Sequence, residues 1–134
     1  MKTLTLLLLL FPLLPVWAGE YNPVLDIKDP APKWEALPAT NGKRIAFDDF
    51  KAKQVLVVVF TCNSCPYAVD YEDRLNAFAK KYTGEGMSVA LVAINVNKVE
   101  EDLLPAMKVR AAEKKFTFPY LFDETQMIAK KFGA

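Results

Sequence analysis

The sequence predicts a single α/β domain in which buried strands alternate with amphipathic helices. Two continuous apolar runs, Val55–Phe60 and Val89–Ile94, have the length and composition of buried parallel strands. Each run is followed by a segment with helical spacing, first Pro66–Tyr82 and then Pro105–Lys115. This order implies right-handed crossovers between parallel strands, and a chain of 134 residues has room for one such domain.

Composition and charge exclude several classes of function. The chain is 52% hydrophobic and 25% charged, which is ordinary for a globular protein and too apolar for a disordered one. Its formal net charge is +1, so nothing indicates nucleic acid as a partner. The sequence has no histidine and only two cysteines, which excludes histidine-based acid–base catalysis and Cys–His nucleophile pairs. A metal site would need further soft ligands, so we expect neither a metal nor an organic cofactor.

Residues 1–18 have the pattern of a secretory signal peptide. Lys2 provides the positive start, Leu4–Leu14 is almost wholly apolar, and Ala18 ends the segment with a small residue. The apolar stretch is shorter than the roughly 20 residues of a membrane-spanning helix, and Pro12 and Pro15 weaken it further. We therefore expect cleavage after Ala18 and an extracytoplasmic location, periplasmic or secreted, with an uncleaved anchor as the alternative.

An irregular, proline-rich arm is expected over residues 19–33, and the domain itself over residues 34–134. Three elements are expected before the first apolar run: a short strand near Trp34–Leu37, a hairpin turn at Asn41-Gly42 with Arg44–Phe47 as the returning strand, and a helical turn at residues 48–50.

The first apolar run does not alternate with polar residues, so we expect Val55–Phe60 to be a central strand buried on both faces. The helix after it should end near Gly84 and Gly86. Its apolar residues recur at helical spacing and predict one buried stripe, formed by Ala68, Tyr71, Leu75, Phe78 and Tyr82.

Pro105 fits the first turn of the second helix. The basic residues of this helix predict one solvated face, formed by Lys108, Arg110, Lys114 and Lys115. Phe118–Phe122 should be a strand or an extended loop. A last helix is expected over Asp123–Phe132, with Asp123 and Gln126 as a capping pair and Gly133 as the C-cap.

The segment Cys62-Asn63-Ser64-Cys65 carries the candidate chemistry, because it joins a buried strand to a helix at the carboxyl edge of the sheet. Cysteines at this spacing share a face and can form a Cys62–Cys65 disulfide. We expect Cys62 at or just before the helix N-terminus, where the helix dipole stabilises a thiolate. Cys65 should lie a turn further in and be more buried. Cys62 is therefore assigned as the nucleophile and Cys65 as the resolving thiol of thiol–disulfide exchange.

Several neighbours are expected to support the pair, namely Thr61, Asn63, Ser64, Pro66 and Tyr67. Pro66 presets the helix and lacks an N–H, while Asn63 and Ser64 influence the redox potential. Three further roles are weighed against ordinary packing or solvation: Tyr67 and Trp34 beside the dithiol, and Asp70 or Glu35 as a proton acceptor for Cys65. A structural disulfide stays open as an alternative, although so short a loop constrains the unfolded chain little.

With these residues in place, the sequence resembles the thioredoxin superfamily. It is most similar to extracytoplasmic thiol–disulfide oxidoreductases and to the thiol-specific antioxidant, peroxiredoxin-like group. The resemblance is carried by Ala31–Trp34, Asn41–Lys43, Phe47–Phe50, Val55–Tyr67, Val92–Asn95 and Phe118–Asp123. It implies a thioredoxin-like fold and an oxidoreductase whose partners are protein thiols and disulfides. A reductase of this kind would draw its electrons from a membrane thiol transporter.

The sequence departs from the family pattern in two ways. Such folds continue with a cis-proline loop that faces the dithiol and with further strands, so we expect a fold truncated before that loop. Peroxiredoxins resemble Pro-x-x-x-Thr/Ser-x-x-Cys around the peroxide-attacking thiol, whereas here Thr61 directly precedes Cys62. Exchange is therefore favoured over a peroxidase of the alkyl hydroperoxide reductase type. A non-catalytic thioredoxin-fold domain with a structural disulfide is the third alternative.

Overall fold

The computed structural model describes residues 22–134, so the predicted signal peptide and the start of the arm lie outside the described residues. The strands of the described part are β1 (Leu37–Pro38), β2 (Arg44–Ile45), β3 (Val55–Phe60), β4 (Val89–Asn95) and β5 (Tyr120–Phe122). The α-helices are α1 (Pro66–Tyr82), α2 (Leu104–Glu113) and α3 (Met127–Phe132), and short 3-10 turns cover Phe47–Phe50 and Glu100–Asp102. Within residues 22–134 no helix is both long and apolar enough to cross a membrane.

The main sheet is parallel and has the order β3-β4-β5 in the described residues, which confirms the predicted α/β class. β3 pairs with β4 from Val55 opposite Val89 to Phe60 opposite Ile94. The centre is thus β4, whose residues 90–95 are all buried, whereas β3 is only half-buried. Among the residues that the structure describes, the prediction that β3 is the central strand is therefore wrong. Both strands are equally apolar, and only the pairing with the three-residue β5 decides which one is covered on both edges.

The β1–β2 hairpin lies beside β5 and turns at the predicted Asn41-Gly42. Gly42 has φ of +80°, which favours glycine, and the Lys43 N–H donates to Asn41 Oδ1 at 3.0 Å. The hairpin attaches to the sheet where the Thr40 N–H donates to the Tyr120 carbonyl at 3.0 Å. The strands are shorter than predicted, because the chain enters the 3-10 turn at Phe47.

The sheet separates two apolar clusters, because successive side chains of a strand point to opposite faces. One cluster lies under α1 and α2, and its buried members are Ala79, Leu91, Ala93, Met107, Phe118, Tyr120 and Phe122. The other lies under the N-terminal segment and α3, and its buried members are Trp34, Ala39, Val92, Ile94, Leu121 and Ile128. Because α1 packs against the first cluster, its position relative to the ends of the strands is fixed.

α1 has the predicted bounds, but the predicted apolar stripe is only partly confirmed: Leu75 and Phe78 pack against the cluster under α1 and α2. Tyr71 and Tyr82 are exposed by 55% and 44%, whereas Glu72 and Asn76 are buried. Asn76 Nδ2 donates to the carbonyls of Lys114 and Lys115, and its Oδ1 accepts the Thr117 N–H at 3.1 Å. The polar residues are buried because they tie α1 to the end of α2, which a hydrophobic pattern cannot anticipate. The helix ends at Tyr82, close to the predicted Gly84, and is capped by Thr83, whose N–H donates to the Ala79 carbonyl.

The expected solvated basic face of α2 was wrong for two of its four residues. Arg110 forms a bidentate ion pair with the buried Glu72 of α1, with Nε to Oε1 at 2.7 Å and Nη2 to Oε2 at 2.8 Å. Lys114 Nζ lies 3.3 Å from Glu72 Oε2. Only Lys108 and Lys115 of this set are exposed. The two helices are therefore joined by charge as well as by apolar contact.

The last helix is shorter than predicted. It begins at Met127, because Gln126 has φ of +62° and the chain before it forms a turn. Asp123 still acts on the helix start, since its carboxylate accepts the Ile128 N–H at 2.7 Å and the Thr125 hydroxyl at 2.6 Å. Gly133, with φ of +70°, is the predicted C-cap.

Candidate functional site

The carboxyl ends of the three parallel strands meet at one edge of the sheet, which is where parallel sheets place their sites. The Thr61 N–H donates to the Ile94 carbonyl at 3.1 Å, and the Asp123 N–H donates to the Asn95 carbonyl at 2.8 Å. These bonds bring the connection after β3 beside the segment that follows β4. Both cysteines lie in that connection.

Cys62 and Cys65 are half-buried thiols that line the same open groove. Its other walls are Phe60, Thr61, Ala68, Val96 and Asn97. Cys62 precedes the helix as predicted, but Cys65 is the N-cap of α1 and not a residue of its first turn. Both thiols are half-buried, so the prediction that Cys65 is the more buried one is not confirmed.

The start of α1 suits an anion in this groove. Pro66 occupies the first helical position, and the Val69 N–H closes the first turn on the Cys65 carbonyl at 3.0 Å. The first turn of a helix leaves N–H groups without intrahelical acceptors, and the helix dipole is positive there. Both effects favour negative charge at this end of the helix.

The loop between the cysteines is held from below by Asp102, a fully buried carboxylate from the 3-10 turn after β4. Asp102 Oδ1 accepts the N–H groups of Asn63 at 2.5 Å and of Ser64 at 3.1 Å. Asp102 Oδ2 accepts the Ser64 hydroxyl at 2.6 Å and Asn97 Nδ2 at 3.0 Å. One side chain thus binds both residues that separate the two thiols.

The Asn63 side chain extends this network into the core. Its Nδ2 donates to the Glu101 carbonyl at 2.7 Å, and its Oδ1 accepts the Tyr120 hydroxyl at 3.1 Å. Burial raises the pKa of Tyr120, and negative charge on Asp102 and Cys62 raises it further, so the phenol stays protonated as a donor. Asn95 Nδ2 in turn donates to the Asp102 carbonyl at 2.8 Å. The loop between the thiols is therefore anchored to the Glu100–Asp102 turn, to β5 and, through Asp102, to β4.

Burial raises the pKa of Asp102, but the hydrogen bonds from Ser64, Asn97 and the Asn63 N–H outweigh it and hold the pKa below its ordinary value of 3.8. A carboxyl with a depressed pKa in the folded protein stabilises the fold above its unfolded pKa. That contribution is lost as the pH falls through the folded pKa.

We therefore expect Asp102→Asn to lower the free energy of unfolding by about 1–3 kcal/mol at pH 7. The difference in the free energy of unfolding between wild type and this variant should narrow as the pH falls below about 4. Urea unfolding, followed by circular dichroism across this pH range, measures this difference. The control is Glu100→Gln, which replaces an exposed carboxyl of the same turn. A gap that stays constant with pH would contradict the assignment of an ionised Asp102.

The other residues singled out in the sequence divide into two groups. Thr61 lines the groove, and Tyr67 stands beside it with 81% of its surface exposed. Trp34 is buried in the apolar cluster under the N-terminal segment and α3, and it does not line the groove that holds the two thiols. Asp70 and Glu35 are exposed and solvated. The ordinary alternatives thus hold for Trp34, Asp70 and Glu35.

Sequence reasoning missed Asp102, Asn97 and Tyr120, which the fold brings under the thiol loop. Position could have found Asn97, because polar residues that closely follow a buried strand gather at the same sheet edge as the cysteines. No local signal pointed to Asp102, which lies seven residues after the end of β4, or to Tyr120, which begins β5. In the described part of the chain, no three cysteine or carboxylate side chains cluster as metal ligands do.

Comparison with known proteins gives a family match and several structural matches. The sequence matches the AhpC/TSA family over residues 27–134. An uncharacterised conserved protein from Geobacillus kaustophilus is 36% identical, with a TM-score of 0.73 over 79% of this chain and 57% of that one. A hypothetical protein from Sinorhizobium meliloti 1021 is 34% identical, with a TM-score of 0.71 over 78% of this chain and 57% of that one. No curated protein matches the sequence.

A more distant structure fits the same fold. The thiol:disulfide interchange protein of the thioredoxin family from Chlorobium tepidum TLS is 21% identical, with a TM-score of 0.61 over 75% of this chain and 63% of that one. The chain spans 57% of the length of the Geobacillus and Sinorhizobium proteins. The family match covers most of the chain, and the βαβ sheet with its flanking helices agrees with it. This chain therefore belongs to the AhpC/TSA family, has a thioredoxin-like fold, and carries its two cysteines as a Cys-x-x-Cys pair.

Proposed function

We propose that this protein catalyses thiol–disulfide exchange through Cys62 and Cys65. The observation that carries the proposal is that both thiols line one open groove at the N-terminus of α1, on a loop that Asp102 holds in place. Members of the AhpC/TSA family are thiol oxidoreductases and peroxidases, and their partners are in general protein thiols. The shared groove adds what exchange requires, which is two thiols within reach of the same partner disulfide.

In the proposed reaction, the Cys62 thiolate attacks one sulfur of a partner disulfide. The S–S bond of the partner breaks, one partner thiolate leaves and takes up a proton, and Cys62 is joined to the other sulfur. The Cys65 thiolate then attacks Cys62 Sγ, forms the Cys62–Cys65 disulfide and releases the second partner thiol. Two electrons pass from the dithiol to the partner, and the reverse sequence oxidises a partner dithiol.

The roles of the two cysteines follow from their places around α1. Cys62 lies just before the helix, whose first-turn N–H groups lack intrahelical acceptors, and it is the proposed attacking thiol for that reason. Cys65 is fixed as the N-cap through its carbonyl and the following Pro66. A fixed second thiol beside a mobile mixed disulfide is the arrangement that resolution needs. Tyr67, exposed next to Cys65, is proposed to contact the partner.

The location is part of the proposal. A signal peptide over residues 1–18 would place the protein outside the cytoplasm, where disulfide-bearing partners are abundant. A reductase there needs a supply of electrons, for which a membrane thiol donor is the proposed class of partner.

The test of exchange uses single cysteine variants. Cys62→Ser should reduce a disulfide-bonded protein substrate no faster than dithiol reductant alone, because the nucleophile is missing. Cys65→Ser should accumulate a mixed disulfide with the substrate, visible as a larger species on a non-reducing gel. Ser88→Ala is the matched control, since Ser88 is exposed next to the amino end of β4, at the edge opposite the groove, and this variant should keep full activity.

A glutathione titration scored by thiol alkylation separates exchange from a structural disulfide. A reversible two-electron transition between about −120 and −270 mV supports exchange, whereas a disulfide that stays closed below about −300 mV means a structural one. Peroxide provides the second distinction. If Cys65→Ser still consumes hydrogen peroxide with single-turnover stoichiometry while the exchange assay is silent in wild type, the protein is a peroxidase of the antioxidant type.

A further inference from the structure

Asp102 carries a negative charge that the described structure leaves without a counter-ion. Its carboxylate is fully buried, and all of its donors are neutral: two backbone N–H groups, the Ser64 hydroxyl and the Asn97 amide. Within residues 22–134, no lysine or arginine nitrogen lies within 4.0 Å of it. The charge lies directly under the loop that separates the two thiols.

Asp102 accepts hydrogen bonds from two backbone N–H groups that could otherwise donate to a thiolate. Backbone N–H groups in a turn that enters a helix form an anion-binding concavity. Here the N–H groups of Asn63 and Ser64, between the two cysteines, are directed at Asp102 instead. A neighbouring like charge also disfavours a second anion. Asp102 therefore occupies two donors that lie between the cysteines, and its charge opposes a second negative charge beside the same loop.

The effect on the redox equilibrium has a definite sign. For reduction by glutathione, the Cys62–Cys65 disulfide and two glutathione thiols give two protein thiols and one glutathione disulfide, with two electrons and two protons gained by the protein. An interaction that stabilises the thiolate stabilises the reduced protein, and the disulfide form is then a stronger oxidant. Whatever disfavours the thiolate makes the reduced protein a better electron donor.

We propose that Asp102 is a positioning residue that poises the Cys62–Cys65 pair as a reductant. It fixes the Asn63–Ser64 loop and, through its uncompensated charge, favours the disulfide over the dithiol. This inference rests on the proposed exchange function and gives it a direction, namely electron flow from the protein to partner disulfides.

The test is the glutathione titration of wild type and Asp102→Asn, scored by thiol alkylation. Asparagine keeps the shape and one acceptor oxygen but removes the charge. We expect the equilibrium constant for reduction by glutathione to rise about tenfold, which is a midpoint about 30 mV less negative. In a Cys65→Ser background, the alkylation rate of Cys62 at pH 7 should rise with the same substitution.

Two control variants separate charge from loop structure. Glu100→Gln removes an exposed carboxylate from the same turn and should leave the midpoint unchanged. Ser64→Ala removes one donor from Asp102 but leaves its charge, so the midpoint should not rise. A merely structural clamp predicts that Ser64→Ala loosens the loop and moves the midpoint in the same direction as Asp102→Asn. A rise of the midpoint in Ser64→Ala would therefore refute the charge role even if Asp102→Asn does not fold.

The outcomes also separate this inference from the exchange function. If wild type titrates reversibly and Asp102→Asn has the same midpoint, or Ser64→Ala or Glu100→Gln shifts it equally, the role of Asp102 is refuted and exchange stands. If wild type shows no reversible transition, both the function and the role of Asp102 are refuted.

Discussion

Replacing Arg110 with alanine is expected to lower the free energy of unfolding by about 2–4 kcal/mol. The substitution leaves the buried Glu72 carboxylate without its bidentate partner, and a buried charge without a partner is costly. Lys114 still approaches Glu72 at 3.3 Å and a quarter of the Arg110 side chain is exposed, so the expected loss lies toward the lower part of this range. Urea unfolding followed by circular dichroism measures the change.

The matched control is Lys108→Ala, an exposed basic residue of the same helix, for which we expect a change within about 0.5 kcal/mol. The double variant Glu72→Met with Arg110→Met removes both charges together. It should recover most of the stability, because apolar residues of similar volume often replace a buried ion pair at little cost. If Arg110→Ala were no worse than Lys108→Ala, the pair would hold no structural role between α1 and α2.

The same pair shows what could not be predicted from the sequence. Glu72 and Arg110 are 38 residues apart, and each lies in a helix whose bounds were predicted nearly correctly. Helical spacing assigns the buried face from apolar residues alone, so the predicted stripe included Tyr71, which is exposed, and did not include Glu72, which is buried. Burial of a carboxylate depends on whether a distant segment supplies a partner, and no local pattern contains that information.

The strands give the complementary case. The sequence predicts both long strands, Val55–Phe60 and Val89–Asn95, because an apolar run of this length has few alternatives to a buried strand. Their order in the sheet was not predictable, since it depends on which strand the short β5 joins. For the candidate site, the position of the cysteines came from the same strong local signals. Asp102 did not, because its role exists only once the segment after β4 lies under the loop between the cysteines.

Trp34→Ala is expected to lower the free energy of unfolding by about 3–5 kcal/mol, the usual loss when a large buried aromatic side chain is deleted. Trp34 is 4% exposed and lies at the centre of an aromatic cluster on the α3 face of the sheet. Its ring centroid is 5.1 Å from that of Phe47 in an edge-to-face arrangement, and 6.4 and 6.5 Å from those of Phe50 and Phe132. Deleting the indole removes the contacts that join the N-terminal segment to α3.

Trp34→Phe should cost much less, about 1–2 kcal/mol, and the reason is the indole nitrogen. Nε1 is buried and has no hydrogen-bond partner among the described residues, so phenylalanine removes an unsatisfied donor along with the outer ring. Tyr120→Phe is the matched opposite case, because the buried Tyr120 hydroxyl does have a partner in Asn63 Oδ1. It deletes a single oxygen yet should cost about 1 kcal/mol, since it leaves that acceptor unpaired. A Trp34→Phe variant as unstable as Trp34→Ala would contradict the assignment of Nε1 as an unsatisfied donor.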